Sequence, residues 1–351
     1  MRMRSCNLLL SLAGWLATSV SWPDCSTSDT AARGPFSDIG EFNATAEDGS
    51  LVFVTHPPLP GKSPYPVMVF SHGTTGEYAM YEHAIQTYAS HGFVVIFPHV
   101  KSPTEDVKPL TLDPHGKFAI KGVHFAMAAN SNESSQLHNM LDLKNLVLAG
   151  HSMGATTTIM AAQKLPAGTA KVAIAQHPGI CGPFGPPPCL GPGPLCNTWM
   201  PSDFRDVSAK MPVLLTTATN DGAFWPAPHT AEHELGCFHE STDASDKSAK
   251  AASTAFAQFS ATVCADDGTG GRYDRKWSNG GHDCPMLPHS PETTWVLVAA
   301  KLYAQLAGDP ASTCHKMLWG NQSSSLQKDP AVEKFVINSP SASTDNFLLS
   351  V

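Results

Sequence analysis

The sequence has few charged residues and no cluster of basic ones. Charged residues make up 15% of the 351 residues, and 22 Lys and Arg stand against 30 Asp and Glu, for a formal net charge of −8. Binding to nucleic acid or to an anionic membrane surface needs concentrated positive charge. The sequence therefore argues against both kinds of partner. At 42% hydrophobic residues, the chain can still bury a large core.

The sequence also lacks an apolar run that spans a bilayer comfortably, which takes about 20 residues. The N-terminus instead has the pattern of a secretory signal, with Arg2 and Arg4 before the apolar stretch 8–20 and small residues near Ser21. We expect residues 1–21 to be a signal peptide, the protein to be secreted, and the mature chain to have no transmembrane segment. An uncleaved membrane anchor is the alternative.

Metal-binding motifs are missing as well. No C-x2-C pair occurs, and no H-x3-H pair stands beside a Cys pair, so we expect no metal site. The sequence has nine cysteines, of which Cys6 would leave with the signal peptide. The even number that remains predicts disulfides in a secreted protein. These cysteines are Cys25, Cys181, Cys189, Cys196, Cys237, Cys264, Cys284 and Cys314. Sequons at Asn43, Asn132 and Asn321 fit a glycosylated surface.

Apolar runs alternate with helical patterns along most of the chain. The runs are rich in Val, Ile, Leu and Phe with little polar alternation, which is typical of strands buried on both faces of a parallel sheet. The predicted strands cover residues 51–55, 66–71, 93–97, 145–150, 171–176 and 212–218, and the predicted helices cover 77–90, 117–129, 153–165, 246–263 and 292–306. This order predicts an α/β fold with a mainly parallel central sheet flanked by helices.

Two segments interrupt the alternation. Residues 179–201 are rich in Pro and contain three of the cysteines, so we expect a disulfide-rich loop insertion or lid there. Residues 309–351 have little periodicity, which predicts a partly packed C-terminal tail.

A candidate nucleophile lies between a predicted strand and a predicted helix. Gly150-His151-Ser152-Met153-Gly154 has the pattern G-x-S-x-G. In this setting a sharp strand-to-helix turn exposes the Ser hydroxyl, and Gly on either side permits close contacts. The helix N-terminus adds partial positive charge where an oxyanion would form. We therefore expect Ser152 to be the nucleophile, and a helix-capping Ser is the alternative.

A Gly-rich loop at residues 71–76 directly follows the predicted strand 66–71. Its place in the chain fits the loop that gives a second backbone N–H to an oxyanion hole. We expect the two donors to be the N–H groups of Thr74 and Met153. His72 is expected to order the loop rather than to act as the base. A plain strand–helix turn is the alternative.

The base and its acid are expected later in the chain, in the order Ser, Asp or Glu, His. Asp221 follows the predicted strand 212–218, at the end of a strand where catalytic loops gather. His282 follows two glycines and precedes the last long helical pattern. These two residues complete the predicted triad. A simple turn at Asp221 remains an alternative, and Asp283 is the second candidate for the acid.

These motifs, in this order, resemble the α/β-hydrolase superfamily. Within it they are most similar to the group of cutinase-like polyester hydrolases, platelet-activating-factor acetylhydrolases and chlorophyllases. The resemblance covers roughly residues 45–308 and rests on the runs P-V-M-V-F-S-H-G at 66–73 and A-S-H-G-F-V-V-I at 89–96, together with the motifs above. It implies the α/β-hydrolase fold and these roles: Ser152 as nucleophile, His282 as base, Asp221 as acid, and Thr74 and Met153 as backbone oxyanion donors.

The chain departs from the families that it resembles near the nucleophile. Chlorophyllases tend to have Arg directly after the nucleophilic Ser, where this chain has Met153. Polyester hydrolases tend to have an aromatic residue just after the strand that ends near Gln176, where this chain has His177. The sequence therefore does not predict the substrate-binding residues.

The predicted function is hydrolysis of a carboxylic ester through an acyl-enzyme, with no cofactor. The expected substrate is a small-molecule, lipid or polymer ester of the lipase, cutinase or acetylhydrolase type. A chlorophyllase-like esterase, and an acyltransferase or peptidase with the same triad, are alternatives. A non-catalytic binding protein on a hydrolase scaffold is another. The order of the motifs predicts one catalytic domain at 22–308, between the signal peptide 1–21 and the tail 309–351.

Overall fold

The computed structural model describes residues 22–26, 33–59, 64–73, 76–99, 116–178, 207, 210–218, 254–259, 285–286, 290–320, 332–338 and 349–350. The strands are β1 (Gly40–Thr45), β2 (Leu51–His56), β3 (Tyr65–Ser71), β4 (Val94–Pro98), β5 (Leu141–His151), β6 (Val172–Gln176), β7 (Val213–Ala218), β8 (Thr254–Phe259), β9 (Val332–Asn338) and β10 (Leu349–Ser350). The helices are α1 (Tyr78–Ser90), α2 (Lys117–Ser131), α3 (Met153–Lys164), α4 (Pro291–Ala300) and α5 (Thr313–Trp319), and a π-helical turn, Lys301–Gln305, continues α4.

The described strands form one sheet in the order β1-β2-β4-β3-β5-β6-β7-β8-β9-β10. The strands from β4 to β8 in this order run parallel, and β1, β2, β9 and β10 join antiparallel at the two sides. The predicted α/β fold with a mainly parallel sheet is therefore confirmed. Strand β5 and helix α3 lie at its centre, where the predicted nucleophile is.

The two faces of the sheet pack against different helices because successive side chains of a strand point to opposite faces. In β3, Met68 and Phe70 join a core cluster that includes residues of α1, α4 and α5. Their neighbours Val67 and Val69 join a second cluster with residues of α2 and α3. Burial on both faces explains why the central strands are continuous apolar runs.

The helix predicted at 246–263 is wrong over residues 254–259, which form strand β8. This strand pairs in parallel with β7, from Val213↔Thr254 to Ala218↔Phe259, and antiparallel with β9. The segment reads T-A-F-A-Q-F. Its alanines favoured a helix locally, but a neighbouring strand on each side gives the backbone N–H and C=O groups a ladder, and such tertiary pairing overrides intrinsic propensity.

The disulfide-rich loop predicted at 179–201 lies outside the described residues. Within them, one disulfide joins Cys25 to Cys314 across 289 positions of the chain. Asp24 reinforces this junction, because its carboxylate accepts hydrogen bonds from the backbone N–H groups of Thr313 (2.6 Å) and Cys314 (3.1 Å) at the start of α5. The disulfide and these hydrogen bonds attach the first described residues to the last described helix.

The described part of the chain contains no helix that is long and apolar enough to cross a membrane.

Candidate active site

Ser152 occupies the sharp turn between β5 and α3. Its backbone has φ 55° and ψ −120°, a left-handed conformation that costs a non-Gly residue about 1–3 kcal/mol. Two hydrogen bonds hold it there: the Ser152 N–H donates to the Gln176 carbonyl at 2.9 Å, and the Ser152 carbonyl accepts from the Thr156 N–H at 3.1 Å. The turn therefore has the strained geometry that G-x-S-x-G predicts.

The two glycines of the motif are required by close backbone contacts. A Cβ atom on Gly150 would lie 2.3 Å from the Gly154 carbonyl oxygen. A Cβ atom on Gly154 would lie 1.9 Å from the Ser71 carbonyl oxygen. Since neither obstacle is a flexible side chain, only Gly lets α3 begin directly against the end of β3.

The loop after β3 faces the nucleophile through Gly73. A Cβ atom on Gly73 would lie 3.1 Å from the Ser152 Cβ, so the two backbones approach closely here. The Gly73 N–H donates to the Tyr81 hydroxyl at 2.9 Å, and this hydroxyl also hydrogen-bonds His151 Nδ1 at 2.8 Å. The buried Tyr81 hydroxyl of α1 thus connects the loop to the turn at residues 150–154, which we call the elbow.

The Gly73 carbonyl is held as firmly as its N–H. It accepts from the Gly76 N–H at 2.9 Å and from His72 Nδ1 at 2.7 Å, and here Nδ1 is the donor because a carbonyl oxygen only accepts. Burial, with a smaller contribution from the neighbouring His99, lowers the pKa of His72 to about 4. His72 is therefore neutral at pH 7, and its contact with the backbone agrees with a role in ordering the loop.

Of the predicted site residues, the described part of the chain contains Ser152 and Met153, which are neighbours in the sequence. Met153 is the first residue of α3, where a backbone N–H has no acceptor within the helix. Thr74, Asp221 and His282 lie outside the described residues. Their predicted roles stay predictions.

A buried polar cluster lies beside the elbow, at the ends of β6 and β7. Glu292 Oε2 accepts from Gln176 Nε2 (3.1 Å) and from Thr216 Oγ1 (2.8 Å), and Glu292 Oε1 accepts from His177 Nε2 (2.5 Å). His177 and Glu292 are both fully buried, and His177 has a positive φ of 47°. The His177 ring also meets the His151 ring edge to face, with centroids 5.8 Å apart.

The family of the chain is shown by a match to a known family model. The chlorophyllase family model matches residues 37–216, just over half of the chain. The chain belongs to the chlorophyllase family. A search of curated proteins returned no match.

The matched region of this chlorophyllase-family chain contains the loop at Gly73 and the elbow at Ser152, and it ends before Asp221 and His282. The family is a member of the α/β-hydrolase superfamily, so the suspected resemblance is confirmed. Membership implies a hydrolase of the α/β type that cleaves esters.

The sequence did not reveal the supporting residues Tyr81, Gln176, Thr216 and Glu292. Tyr81 is one apolar position among many in α1. A Glu in the first turn of a helix is usually explained by the helix dipole, and this explanation hides the burial of Glu292. The available signal was that Glu292 is the one charged residue of α4 and stands shortly before the apolar run W-V-L-V-A-A.

Proposed function

We propose that this protein is a secreted carboxylic-ester hydrolase that works through an acyl-enzyme on Ser152. The Ser152 hydroxyl attacks the ester carbonyl while His282 takes its proton, and Asp221 orients the imidazole. The proton then passes to the leaving alcohol, and water attacks the acyl-enzyme to release the acid. The observation that carries the proposal is the strained conformation of Ser152 at a strand-to-helix turn opposite Gly73.

The proposed oxyanion donors are the backbone N–H groups of Met153 and Thr74. The hydrogen bonds at Gly73 support the second donor. Two hydrogen bonds, from His72 Nδ1 and from the Gly76 N–H, hold the carbonyl of Gly73, the residue directly before Thr74. A defined backbone at this point of the loop is what a preorganised donor requires. Loss of one such donor typically costs about 3–4 kcal/mol of transition-state stabilisation.

Turnover of a short-chain nitrophenyl ester tests the proposal. Ser152→Ala is expected to lower kcat by about 10⁴-fold or more, as loss of a triad nucleophile does. Retained turnover would exclude Ser152 as the nucleophile. The same assay on an amide substrate distinguishes an esterase from a peptidase.

The acid is tested by a matched pair of variants. Asp221→Asn is expected to lower kcat by about 10⁴-fold because the imidazole loses the partner that fixes its tautomer. Asp283→Asn is the control and should leave kcat within about threefold, since a direct sequence neighbour of His282 is poorly placed to orient the same ring. The reverse result would assign the acid to Asp283.

For the substrate we propose a lipid, polymer or small-molecule acyl ester, with a chlorophyll-type pigment ester as the second candidate. The family match supports the second candidate. Met153 favours the first, since it stands where chlorophyllases tend to have Arg. A panel of nitrophenyl esters, an acetyl-phospholipid, a polyester film and chlorophyll ranks them by kcat/KM. Faster turnover of chlorophyll than of all acyl esters would reverse the proposal.

Secretion is proposed from the signal-like residues 1–21 and is supported by the Cys25–Cys314 disulfide, because disulfides persist in oxidising compartments. Asn43 on β1 and Asn132 after α2 have exposed side chains that suit N-glycans. Expression in eukaryotic cells should give medium-borne protein that starts near residue 22 and loses mass on glycosidase treatment. Retention inside the cell with an intact N-terminus would contradict secretion.

A further inference from the structure

The buried cluster around Glu292 lies where the three central strands end. His151, Gln176 and Thr216 are in register across β5, β6 and β7, so they form one row over the sheet. Glu292, in the first turn of α4, accepts hydrogen bonds from the second and third members of this row. The row ends one residue before the nucleophile, because His151 directly precedes Ser152.

The cluster is joined to the nucleophile through the backbone of β6. The Ser152 N–H donates to the Gln176 carbonyl at 2.9 Å. The next residue, His177, donates its own N–H to the Thr216 carbonyl at 2.8 Å and its Nε2 proton to Glu292. Glu292 thus binds the side chains of two consecutive residues, and the backbone of the first of them holds Ser152.

Stability alone does not account for a carboxylate at this place. Burying an ionised carboxylate is costly, and apolar residues of similar volume are often as stabilising as a buried ionic cluster. Hydrogen bonds supply direction, which apolar contacts do not. The three donors to Glu292 set the side-chain positions of Gln176, His177 and Thr216, and the N-terminus of α4 further stabilises the negative charge.

We infer that Glu292, with His177, is a positioning residue for the nucleophile: it fixes the end of β6 and thereby the strained backbone of Ser152. The inference rests on the proposed role of Ser152 and extends it to a residue 140 positions later in the chain. Its consequence is that the last long helix sets the geometry of the elbow as well as packing on the sheet.

The test is Glu292→Gln in the full-length protein. The amide keeps the shape of the side chain but replaces one acceptor oxygen by a donor, so the three donors are no longer all satisfied. A slightly displaced nucleophile slows the chemical step more than it weakens binding. We expect kcat per active site, titrated with a fluorophosphonate, to fall by about 10–100-fold while KM stays within about twofold.

Glu82→Gln is the matched control. Glu82 accepts a hydrogen bond from Gln86 away from the nucleophile, so this variant should leave kcat unchanged.

A second readout is independent of activity. Hydrogen exchange of the Ser152 amide reports on its hydrogen bond to the Gln176 carbonyl. We expect this exchange to be at least about tenfold faster in Glu292→Gln than in the wild type or Glu82→Gln.

If Glu292→Gln does not fold, Glu292→Asp replaces it as the test. Asp keeps the charge on a shorter side chain, so this variant should change kcat and the exchange rate in the same direction by less. The double variant of Glu292→Gln with His177→Asn should lose less activity than the two single losses combined, because the two side chains share one of the contacts of Glu292.

The outcomes separate the inference from the proposed function. If wild-type protein hydrolyses no ester, the proposed function fails, and exchange at Ser152 still decides the inference. Unchanged exchange at Ser152 in Glu292→Gln overturns the inference, whether kcat falls or not. A fall in activity that disappears after normalisation to titrated active sites also overturns it, because Glu292 would then only maintain the folded fraction.

Discussion

At the scale of single residues, the site depends on positions that have no Cβ atom and on one neutral histidine. Gly73, Gly150 and Gly154 let three backbone segments approach within contact distance around Ser152. His72 and Tyr81 then fix the loop by holding the carbonyl and the N–H of Gly73. The strain at Ser152 is therefore maintained by contacts from β3, α1 and β6.

Gly73→Ala is predicted to lower kcat by about tenfold or more, because a misplaced oxyanion donor costs most in the transition state. Its Cβ would meet the Ser152 Cβ and the Tyr81 hydroxyl, both at 3.1 Å, so the loop or the elbow must shift by a few tenths of an ångström. Gly168→Ala is the control, since its Cβ meets nothing within 4 Å and its positive φ costs only about 1–2 kcal/mol of stability. Equal kcat values for the two variants would contradict the close approach at Gly73.

The buried His72 predicts a pH-dependent free energy of unfolding. Burial lowers its pKa from 6.5 to about 4 in the folded protein, so between these values the unfolded chain binds a proton that the folded chain does not. Stability should therefore fall as the pH drops from 6.5 to 4, by about 3 kcal/mol from this residue. Urea unfolding at pH 7, 5.5 and 4 measures it. An identical pH dependence in His72→Gln would rule out His72 as its source.

At the scale of elements, α1 connects the loop to the elbow. The Tyr81 hydroxyl on this helix hydrogen-bonds Gly73, after β3, and His151, at the end of β5. The Tyr78 hydroxyl on the same helix donates to Glu41 and shares a hydrogen bond with Thr55. One helix therefore presents one hydroxyl to the site and one to the outer strands. This arrangement provides a matched pair of substitutions.

Tyr81→Phe is predicted to lower kcat with little change in KM, because the Gly73 N–H and His151 Nδ1 both lose their hydrogen bond to the Tyr81 hydroxyl. The buried N–H left unsatisfied should cost about 1–3 kcal/mol of stability. Tyr78→Phe removes a hydroxyl of the same kind and should leave kcat within about twofold. Steady-state kinetics and thermal unfolding of both variants test this. A similar loss of kcat in both would indicate a general effect on α1 instead.

The elements also show where sequence reasoning succeeded and where it failed. The buried strands β2 to β7 were predicted because strands covered on both faces are continuous apolar runs between helical patterns. The sequence predicts part of a helix where strand β8 lies, because the pairing of β8 with β7 and β9 depends on residues far away in the chain. The strained turn at Ser152 could be predicted because its motif is local, whereas the contacts of Tyr81 and Glu292 could not, because their partners are distant in sequence.

At the scale of the whole molecule, a disulfide joins the first described segment to the last described helix. Cys25 is bonded to Cys314, and the Trp22 ring covers Gly92, where a Cβ atom would lie 2.3 Å from it. Cys25 is therefore buried beside α5, and the half-buried Trp22 packs against the second core cluster. A sequence count of cysteines predicted disulfides, but spatial proximity alone selects this pair.

The Cys25→Ser/Cys314→Ser variant is predicted to lower the free energy of unfolding by about 2–5 kcal/mol, because a cross-link over a long loop restricts the unfolded chain. The described hydrogen bonds at this junction join Asp24 to Thr313 and Cys314, whereas those of the Ser152 backbone go to Gln176 and Thr156, so kcat at 25 °C should stay within about twofold. Denaturant unfolding and ester kinetics measure the two effects. A large loss of kcat in protein that is still folded would show that the junction supports the site.

The proposed ester hydrolysis depends on Ser152 being an activated nucleophile. The most direct measurement is labelling with a fluorophosphonate probe, followed by digestion and mass analysis of the peptide that contains residues 150–154. We predict one equivalent of probe per molecule, located on Ser152, and no labelling of Ser152→Ala. Absence of labelling in folded wild-type protein, or a label on another residue, would contradict the assignment.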